Sequence, residues 1–217
     1  MKDRFTGLFG GSFNPPHIGH VAAARRAIDS LALEGLVILP AWSPPHKPLP
    51  PGTPSPEDRL AMTGLAFGDV PQCLVSDLEM RMRRPVYTHE AIDRIRPVSG
   101  SLILIVGSDM FLTLHEWARA GDILASTRVA VLSRASGQEK AISRQADFLA
   151  HRYGAAVTRV PHEPEEISST RLRALLAKGR GWEYLPEKVA TYIRGQKIYG
   201  QESGLRAQPA LGADTDA

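Results

Sequence analysis

The chain alternates short apolar runs with stretches of helical spacing as far as about residue 193. The apolar runs predict six strands, over residues 5–9, 36–39, 74–75, 102–106, 129–132 and 156–160. Apolar residues at helical spacing predict helices over residues 18–31, 88–95, 141–152, 170–176 and 186–193. We expect the second of these helices to stop before Pro97, because proline cannot continue the hydrogen-bond ladder.

The order of these elements predicts the fold class. Strands that alternate with helices form parallel β-α-β units with right-handed crossovers. The run 102–106 is apolar at every position, which indicates a sheet covered on both faces. We therefore predict an α/β fold, a doubly wound parallel sheet with a small C-terminal helical part. Ligands in such folds bind beyond the carboxyl ends of the strands, here in the loops after Phe9, Leu39, Val106 and Val160.

Two segments show neither the apolar runs typical of strands nor the helical spacing of apolar residues. Residues 41–56 contain seven prolines, so we expect an irregular surface loop that can close over a ligand. Residues 201–217 are rich in Gly, Ala and polar side chains, and we expect them to be a disordered tail. The remaining residues, 1–200, are expected to form a single domain.

The composition narrows the function without deciding it. The 217 residues include 26 Lys and Arg against 23 Asp and Glu, a formal net charge of +3. This mild excess fits an anionic small-molecule substrate and equally fits ordinary surface variation, and it is too weak to predict binding to nucleic acid. The single cysteine, Cys73, excludes an intramolecular disulfide and a cysteine-based zinc site, and we expect it to fill the core. Because we find no secretory signal and no apolar run of membrane-spanning length, we expect a cytoplasmic protein without membrane association.

The segment between the first strand and the first helix carries the candidate chemistry. Gly10 and Gly11 are expected to let the backbone turn sharply and to let a ligand approach without a side chain in between. His17 and His20 fall at the predicted helix N-terminus, where free N–H groups and the helix dipole favour anions. Gly19 keeps the surface between the two imidazoles open.

Two histidines in this position are compatible with a metal site or a phosphate site. Metal binding is the weaker interpretation, because no Cys, Asp or Glu lies nearby in the sequence to complete a ligand set. Phosphate suits the segment better, because imidazole N–H groups donate hydrogen bonds to phosphoryl oxygens. The structural alternative is a capped helix with incidental histidines, and the glycines before the pair favour phosphate binding over it.

A second anion site is predicted just before the helix over residues 170–176. Ser168 or Ser169 can cap this helix, and their hydroxyls add to its free N–H groups. Arg173 can bind phosphate oxygens with a two-pronged geometry that lysine lacks. Taken alone, the segment is more simply a helix cap with solvated arginines.

Both segments resemble motifs of one superfamily. The run Gly10-Gly11-Ser12-Phe13, with Pro15, His17, Gly19 and His20 after it, resembles the HxGH signature of the nucleotidyltransferases. The run Ile167-Ser168-Ser169-Thr170-Arg171-Leu172-Arg173 resembles the ISSTxxR motif that closes the ATP site of the same superfamily. The resemblance implies a Rossmann-like nucleotidyltransferase fold and catalytic roles for His17, His20 and Arg173. It implies ATP binding by Gly10, Gly11, Ser12, Phe13, Gly19, Ile167, Ser169 and Thr170.

Further segments are similar to bacterial nicotinate-nucleotide adenylyltransferases, so that the resemblance runs from about residue 5 to about residue 199. They are Pro44-Pro45-His46-Lys47, Tyr87-Thr88, Gly107-Ser108-Asp109, Trp117 and Tyr184-Leu185-Pro186. The similarity implies that Lys47 adds catalytic positive charge, and that Gly107 and Asp109 bind ATP. It also implies that Tyr87, Thr88 and Trp117 bind the acceptor, with the backbone at Thr88 holding the pyridine carboxylate.

Without the similarity, several of these residues have plainer interpretations. Lys47 is then a solvated loop residue, Trp117 a core residue of an amphipathic helix, and Asp109 a helix cap rather than a partner of a ribose hydroxyl. The chain also departs from the family pattern, which often has Asp at the position of Asn14 and Thr at the position of Ala91. These departures concern the acceptor contacts more than the chemistry.

The resemblance implies an enzyme that transfers the adenylyl group of ATP to nicotinate mononucleotide, giving deamido-NAD and pyrophosphate in NAD biosynthesis. The acceptor's phosphate is already an anion, so the reaction requires no general base. Mg²⁺ is expected to accompany ATP, held by phosphate oxygens and water, with no metal site on the protein itself. The alternatives are a related transferase that uses nicotinamide mononucleotide or phosphopantetheine, and a module that senses ATP without turnover.

Overall fold

The computed structural model of the protein describes residues 5–45, 48–99, 101–134, 137–162 and 167–200. Lys47 and the segment 201–217 lie outside the described residues. The strands are β1 (Phe5–Gly11), β2 (Gly35–Pro40), β3 (Cys73–Val75), β4 (Ser101–Gly107), β5 (Arg128–Arg134) and β6 (Val157–His162). They form one sheet in the order β3-β2-β1-β4-β5-β6, and every neighbouring pair is parallel.

Helices connect the strands and cover both faces of the sheet. They are α1 (Ile18–Leu31), α2 (Pro56–Phe67), α3 (Leu78–Met82), α4 (Thr88–Ser99), α5 (Ser108–Leu112), α6 (Ala120–Ser126), α7 (Glu139–Tyr153), α8 (Ser169–Leu176) and α9 (Glu187–Gln196). Two 3₁₀ turns, Leu114–Glu116 and Trp182–Tyr184, follow α5 and α8. This arrangement confirms the predicted α/β fold with a doubly wound parallel sheet. None of the described helices combines the length and the apolar character that crossing a membrane requires.

Strand β4 shows why its sequence is apolar at every position. Successive side chains of a strand point to opposite faces of the sheet. Ile103 and Ile105 pack into the core beneath α1, α2, α8 and α9, whereas Leu104 and Val106 pack beneath α4 to α7. All four side chains are nearly fully buried. Burying each of them stabilises the fold by about 1.5–3 kcal/mol.

Four helices, namely α2, α3, α5 and α6, were not predicted from the sequence. Helix α2 begins at Pro56, the last residue of the segment expected to be irregular. Its start signal was present in the sequence. The Ser55 side chain accepts a hydrogen bond from the Asp58 backbone N–H at 3.0 Å, and Pro56 occupies the first helical position. This start signal involves only residues 55–58, and the prolines that precede it concealed it in the sequence.

The prediction that Pro97 stops its helix was wrong, because α4 continues through this residue to Ser99. Near the end of a helix a proline removes one hydrogen bond, but its fixed φ remains compatible with the helical conformation. Cys73 lies half-buried in the short edge strand β3. Burial raises the pKa of its thiol to about 11. Thiolate is therefore scarce at neutral pH, which favours packing over nucleophilic chemistry.

Candidate active site

The strand order places a topological switch between β1 and β4, near the middle of the sheet. The chain leaving β1 enters α1 on one face, while the chain leaving β4 enters α5 on the other face. The two connections therefore diverge and leave a crevice at the carboxyl edge of the sheet, the place where such folds bind ligands.

The backbone after β1 turns at Phe13 rather than at the two glycines. Gly10 and Gly11 are the last residues of β1 and pair with Leu39 and Pro40 of β2. Phe13 has a φ of 43°, a left-handed conformation that is uncommon for residues other than glycine. The prediction of a sharp turn at the glycines was therefore wrong. Burial of the Phe13 side chain, which is 1% exposed, offsets the strain of the turn.

The Phe13 ring explains why glycine stands at position 11. The ring meets those of Phe67 and His20 edge-on, at centroid distances of 5.7 and 5.2 Å. A Cβ on Gly11 would lie 3.1 Å from this ring, which is too close without a shift of the ring. A Cβ on Gly10 would approach only a backbone oxygen at 3.9 Å, so its absence leaves the crevice open. Because the Phe13 side chain is in the core, only its main chain is available to ATP.

The two histidines of the first motif meet at the N-terminus of α1, with Gly19 between them. His17 is the residue before the helix, and its backbone N–H donates to Nδ1 of His20 at 3.2 Å. The two ring centroids are 3.8 Å apart. Since Nδ1 of His20 accepts this bond, the neutral ring carries its proton on Nε2, which is then a hydrogen-bond donor. The structure thus brings both imidazoles to the free N–H groups of the helix end.

Burial lowers the pKa of His20 well below its ordinary value of 6.5, and the neighbouring His17 lowers it further. At neutral pH the His20 ring is therefore uncharged. It offers an Nε2–H donor without the cost of keeping a charge in a half-buried position. A neutral donor fixed by a backbone hydrogen bond is preorganised for an oxyanion.

The second motif begins α8 beside the loop that follows β1. Ser168, not Ser169, caps the helix, since its hydroxyl accepts from the Arg171 backbone N–H at 3.2 Å. The Ser169 hydroxyl instead donates to the carbonyl oxygen of Pro15 at 3.1 Å. Ile167 is buried in the core, so its side chain is not available to a ligand.

Arg173 joins the second motif to the first. Its Nη1 donates to the carbonyl oxygen of Asn14 at 2.7 Å, and its Nη2 to Oγ1 of Thr170 at 3.2 Å. Asn14 lies three residues before His17 in the same loop. The guanidinium and the two imidazoles therefore lie around one part of the sheet edge, and two helix N-termini, of α1 and α8, meet there.

The Asn14 side chain links two distant parts of the chain by hydrogen bonds. In the sequence it stood out mainly as a departure from the family pattern. It is 1% exposed. Its Oδ1 accepts from the hydroxyl of Tyr199 at 2.6 Å, and its Nδ2 donates to Oγ1 of Thr53 at 2.9 Å. Thr53 in turn donates to the carbonyl oxygen of Pro50 at 2.6 Å. An aspartate could not donate to Thr53, so the amide suits this particular network.

The residues predicted to bind the acceptor substrate lie on the face of the sheet that α4 to α7 cover, opposite to the face covered by α1. Thr88 is the first residue of α4, and Tyr87, which precedes it, is 40% exposed. The Tyr87 backbone N–H donates to Oε1 of Glu90 at 3.3 Å, and Arg84 forms an ion pair with the same carboxylate. The hydrogen bond from Arg84 lowers the pKa of Glu90 to about 2. This turn is therefore fixed by a charged pair across the whole physiological pH range.

Gly107 ends β4, and Asp109 and Trp117 follow it on this same side. Gly107 is the residue before α5, and a Cβ there would have nothing within 4 Å. Asp109 lies inside the first turn of α5, so it is not the cap that the plainer interpretation expected. It accepts a hydrogen bond from Nε2 of Gln138 at 3.3 Å. Trp117 follows the 3₁₀ turn in an extended conformation and is half-buried against the core beneath α4 to α7, so it is not the core residue of an amphipathic helix that the plainer interpretation expected.

Glu79 lies in α3, and its side chain is buried against the first residues of the proline-rich segment. Its Oε2 accepts from the Trp42 backbone N–H at 2.8 Å. The pKa of this carboxyl is raised to about 7, mainly by burial and to a smaller extent by the nearby Glu90 charge. The Trp42 and Val86 backbone N–H groups and the Arg59 charge oppose the rise. The folded protein therefore binds a proton at Glu79 more tightly than the unfolded chain does.

This difference predicts how stability changes with pH. The stabilisation from protonated Glu79 is fully present below about pH 4.5 and is lost as the pH rises through about 7. A glutamine at this position does not titrate, so the Glu79→Gln variant lacks this effect. We therefore compare the unfolding free energies of the two proteins. The value for the natural protein minus that for the variant should fall as the pH rises from about 4.5 to about 7. At about 1.4 kcal/mol per pKa unit, the fall is on the order of 3 kcal/mol. Urea unfolding of both proteins across this range measures it, and a constant difference would contradict the assignment.

Comparison with known proteins shows the family to which the chain belongs. A family model described as cytidylyltransferase-like matches residues 8–175. The chain is 36% identical over 211 residues to a protein of Geobacter metallireducens named probable nicotinate-nucleotide adenylyltransferase, covering 89% of this chain and 97% of that one. A protein of Gloeobacter violaceus with the same name is 37% identical over 205 residues, covering 91% and 97%.

Solved structures show the same fold at much lower identity. Nicotinic acid mononucleotide adenylyltransferase of Plasmodium falciparum, complexed with NaAD, superposes with a TM-score of 0.70 at 15% identity, covering 91% of this chain and 98% of that one. Such an identity speaks for the fold alone, whereas the family model and the bacterial relatives extend over most of the chain. The chain belongs to the cytidylyltransferase-like family and, within it, to the nicotinate-nucleotide adenylyltransferases.

Proposed function

We propose that this protein transfers the adenylyl group of ATP to the phosphate of nicotinate mononucleotide, giving deamido-NAD and pyrophosphate. One observation supports the chemistry above others. Two sequence segments that each suit phosphate are joined by the Arg173–Asn14 and Ser169–Pro15 hydrogen bonds at one edge of the sheet. The names of the bacterial relatives supply the acceptor. On this proposal residues 1–200 form the catalytic domain, and 201–217 are a tail beyond it.

The chemistry demands positioning and charge stabilisation. A phosphate oxygen of the acceptor forms a bond to the α-phosphorus of ATP, while the bond from that phosphorus to the oxygen of pyrophosphate breaks. The attacking oxygen is already anionic, so no side chain has to remove a proton. Negative charge moves onto the departing pyrophosphate, and donors aimed at those oxygens lower the barrier.

The described side chains can be assigned to these needs. His20 donates through Nε2–H, His17 and the N-terminus of α1 lie beside it, and Arg173 binds the β- and γ-phosphates from α8. Lys47 adds a further positive charge from the proline-rich segment. The residues proposed to line the ATP site are Gly10, Gly11, Ser12, Phe13, Gly19, Gly107, Asp109, Ile167, Ser169 and Thr170. The Asp109 carboxylate is proposed to accept a ribose hydroxyl, and the others act through backbone or hydroxyl groups.

Magnesium enters this proposal as part of the substrate. Among the described residues there is no group of three or more His, Cys, Asp or Glu side chains that could hold a metal ion. Such a surface fits an ion that is bound mainly by phosphate oxygens and water. The protein's own contribution is then to hold the phosphates that carry the ion.

The acceptor preference is testable. Helix α4, whose first residue is Thr88, directs free N–H groups and the positive end of its dipole toward the proposed pyridine site. A carboxylate gains more from such donors than a neutral amide. We expect kcat/KM for nicotinate mononucleotide to exceed that for nicotinamide mononucleotide by at least about tenfold. Pyrophosphate release, measured with either mononucleotide, with phosphopantetheine and with ATP alone, gives the comparison.

A pair of variants separates the backbone donor from the side chain. Thr88→Pro removes the N–H at a position where helices tolerate proline, whereas Thr88→Ala keeps the N–H and removes only the hydroxyl. The preference should shrink in the first variant and persist in the second. Equal kcat/KM for acid and amide in the natural protein would refute the acceptor assignment. Absence of pyrophosphate release with every acceptor would leave a module that binds ATP without turnover.

A further inference from the structure

Arg59 is the largest fully buried side chain in the described protein, and the proposed chemistry does not use it. It lies in the first turns of α2, which begins at Pro56, and its side chain is 0% exposed. A buried guanidinium is costly, because it gives up its hydration. An apolar side chain would pack beneath α2 at lower cost. Its presence therefore calls for an explanation beyond filling space.

The guanidinium binds three backbone carbonyls that belong to two different loops. Nη1 donates to the carbonyl oxygen of Ser12 at 3.0 Å and also to that of Ala41, and Nη2 donates to that of Trp42. Ser12 lies in the loop between β1 and α1, which carries the histidine pair. Ala41 and Trp42 begin the proline-rich segment. One planar group thus ties the two loops together.

The start of the proline-rich segment is also held from other sides. The Ala41 backbone N–H donates to the carbonyl oxygen of Gly11 at 2.9 Å, which extends the pairing of β1 with β2 by one residue. The Trp42 backbone N–H donates to Glu79, so both polar backbone groups of Trp42 are bound by buried side chains. Beyond this anchor, Thr53 returns to Asn14. The segment is therefore fixed at both ends to the loop that carries the histidines.

We propose that Arg59 is a positioning residue that sets the proline-rich loop against the loop carrying His17 and His20. This inference rests on the proposed function, in which the loop carrying the histidines binds ATP and the proline-rich loop supplies the positive charge of Lys47. Arg59 touches neither substrate. It fixes the distance between the two loops, so that the acceptor's phosphate and the α-phosphorus meet in line. In such reactions a displacement of about 1 Å costs on the order of a hundredfold in rate.

Arg59 bonds one residue of the proposed ATP site, through the Ser12 carbonyl oxygen, but ATP binding as a whole should depend little on it. The N-termini of α1 and α8 are joined by the Arg173–Asn14 and Ser169–Pro15 bonds, which do not involve α2. Loss of Arg59 should therefore separate two quantities. The Kd for ATP stays near its original value, while turnover with the acceptor falls.

Arg59→Lys is the first test, because it keeps the charge but cannot bond three carbonyls with one planar group. We expect kcat/KM for nicotinate mononucleotide to fall at least about tenfold, with the Kd for ATP within about threefold of the original. Arg59→Gln, a neutral second variant, should show the same separation. Met62→Ala is the matched control. It opens a cavity in the same helix without removing a hydrogen bond to either loop, so it should lower Tm and leave kcat/KM within about threefold.

Hydrogen exchange provides a readout that does not need turnover. The amides of Ala41 and Trp42 should exchange at least about tenfold faster in Arg59→Lys than in the natural protein or in Met62→Ala. If the natural protein fails to release pyrophosphate with this acceptor, the proposed function fails, but the exchange result still tests the loop coupling. Unchanged exchange at these amides would overturn the inference. So would an Arg59→Lys enzyme whose kcat/KM matches that of Met62→Ala.

Discussion

Replacing His20 with alanine should lower kcat by at least about a hundredfold, the usual scale for losing a preorganised donor to a developing oxyanion. The His20 Nδ1 accepts the His17 backbone N–H, so the neutral ring presents Nε2–H as its donor. Burial keeps the pKa of this ring well below 6.5, and it is uncharged at the pH of the assay. The rate loss should therefore come from a missing hydrogen bond in the transition state rather than from a missing positive charge.

Two controls isolate that hydrogen bond. His20→Asn keeps a side-chain oxygen near the N-terminus of α1, where it can still accept a hydrogen bond from a backbone N–H. The shorter side chain cannot place an N–H donor where Nε2 of His20 lies. It should restore most of the Tm lost in His20→Ala and little of the rate. His151→Ala, on the exposed face of α7, should stay within about twofold of the natural kcat. A His20→Ala enzyme with near-normal kcat would remove His20 from the mechanism.

Arg173 should give the second large effect. Arg173→Ala is expected to lower kcat/KM for ATP by about a hundredfold, because the guanidinium is the cation placed between the two phosphate segments. Arg173→Lys should recover only part of this loss, since an ammonium cannot bond Asn14 and a phosphate with one rigid fork. Arg171→Ala is the matched control on the same helix, at the variable position of the motif, and should stay within about threefold.

A binding measurement locates the part of ATP that Arg173 contacts. Deamido-NAD has no phosphates corresponding to the β and γ groups of ATP. If Arg173 binds that end, Arg173→Ala should weaken ATP and pyrophosphate while the Kd for deamido-NAD stays within about threefold. Titration calorimetry with the three ligands makes the comparison. Equal weakening of all three would mean that Arg173 acts by holding the Asn14 carbonyl instead.

Several features follow from short-range patterns, and for these the sequence alone was sufficient. The helix over residues 18–31 was predicted with its observed bounds, and the uninterrupted apolar run of β4 predicted a sheet buried on both faces. The two candidate phosphate segments stood out through their resemblance to family motifs, each made of a few neighbouring residues, whereas the second segment taken alone predicted only a helix cap. The Ser55 cap of α2 belongs to the same class, although its proline-rich surroundings concealed it.

The tertiary structure decided which distant groups meet. Arg173 reaches Asn14 across 159 positions, and Tyr199 reaches it across 185, and no local pattern encodes either contact. The turn after β1 falls at Phe13 because the core buries that ring, and this preference outweighs the conformational freedom of the neighbouring glycines. In the sequence, nothing distinguishes Arg59 from an ordinary surface arginine. Its burial and its three carbonyl partners exist only once two loops have closed around it, because a hydrogen bond depends on distance in space and not along the chain.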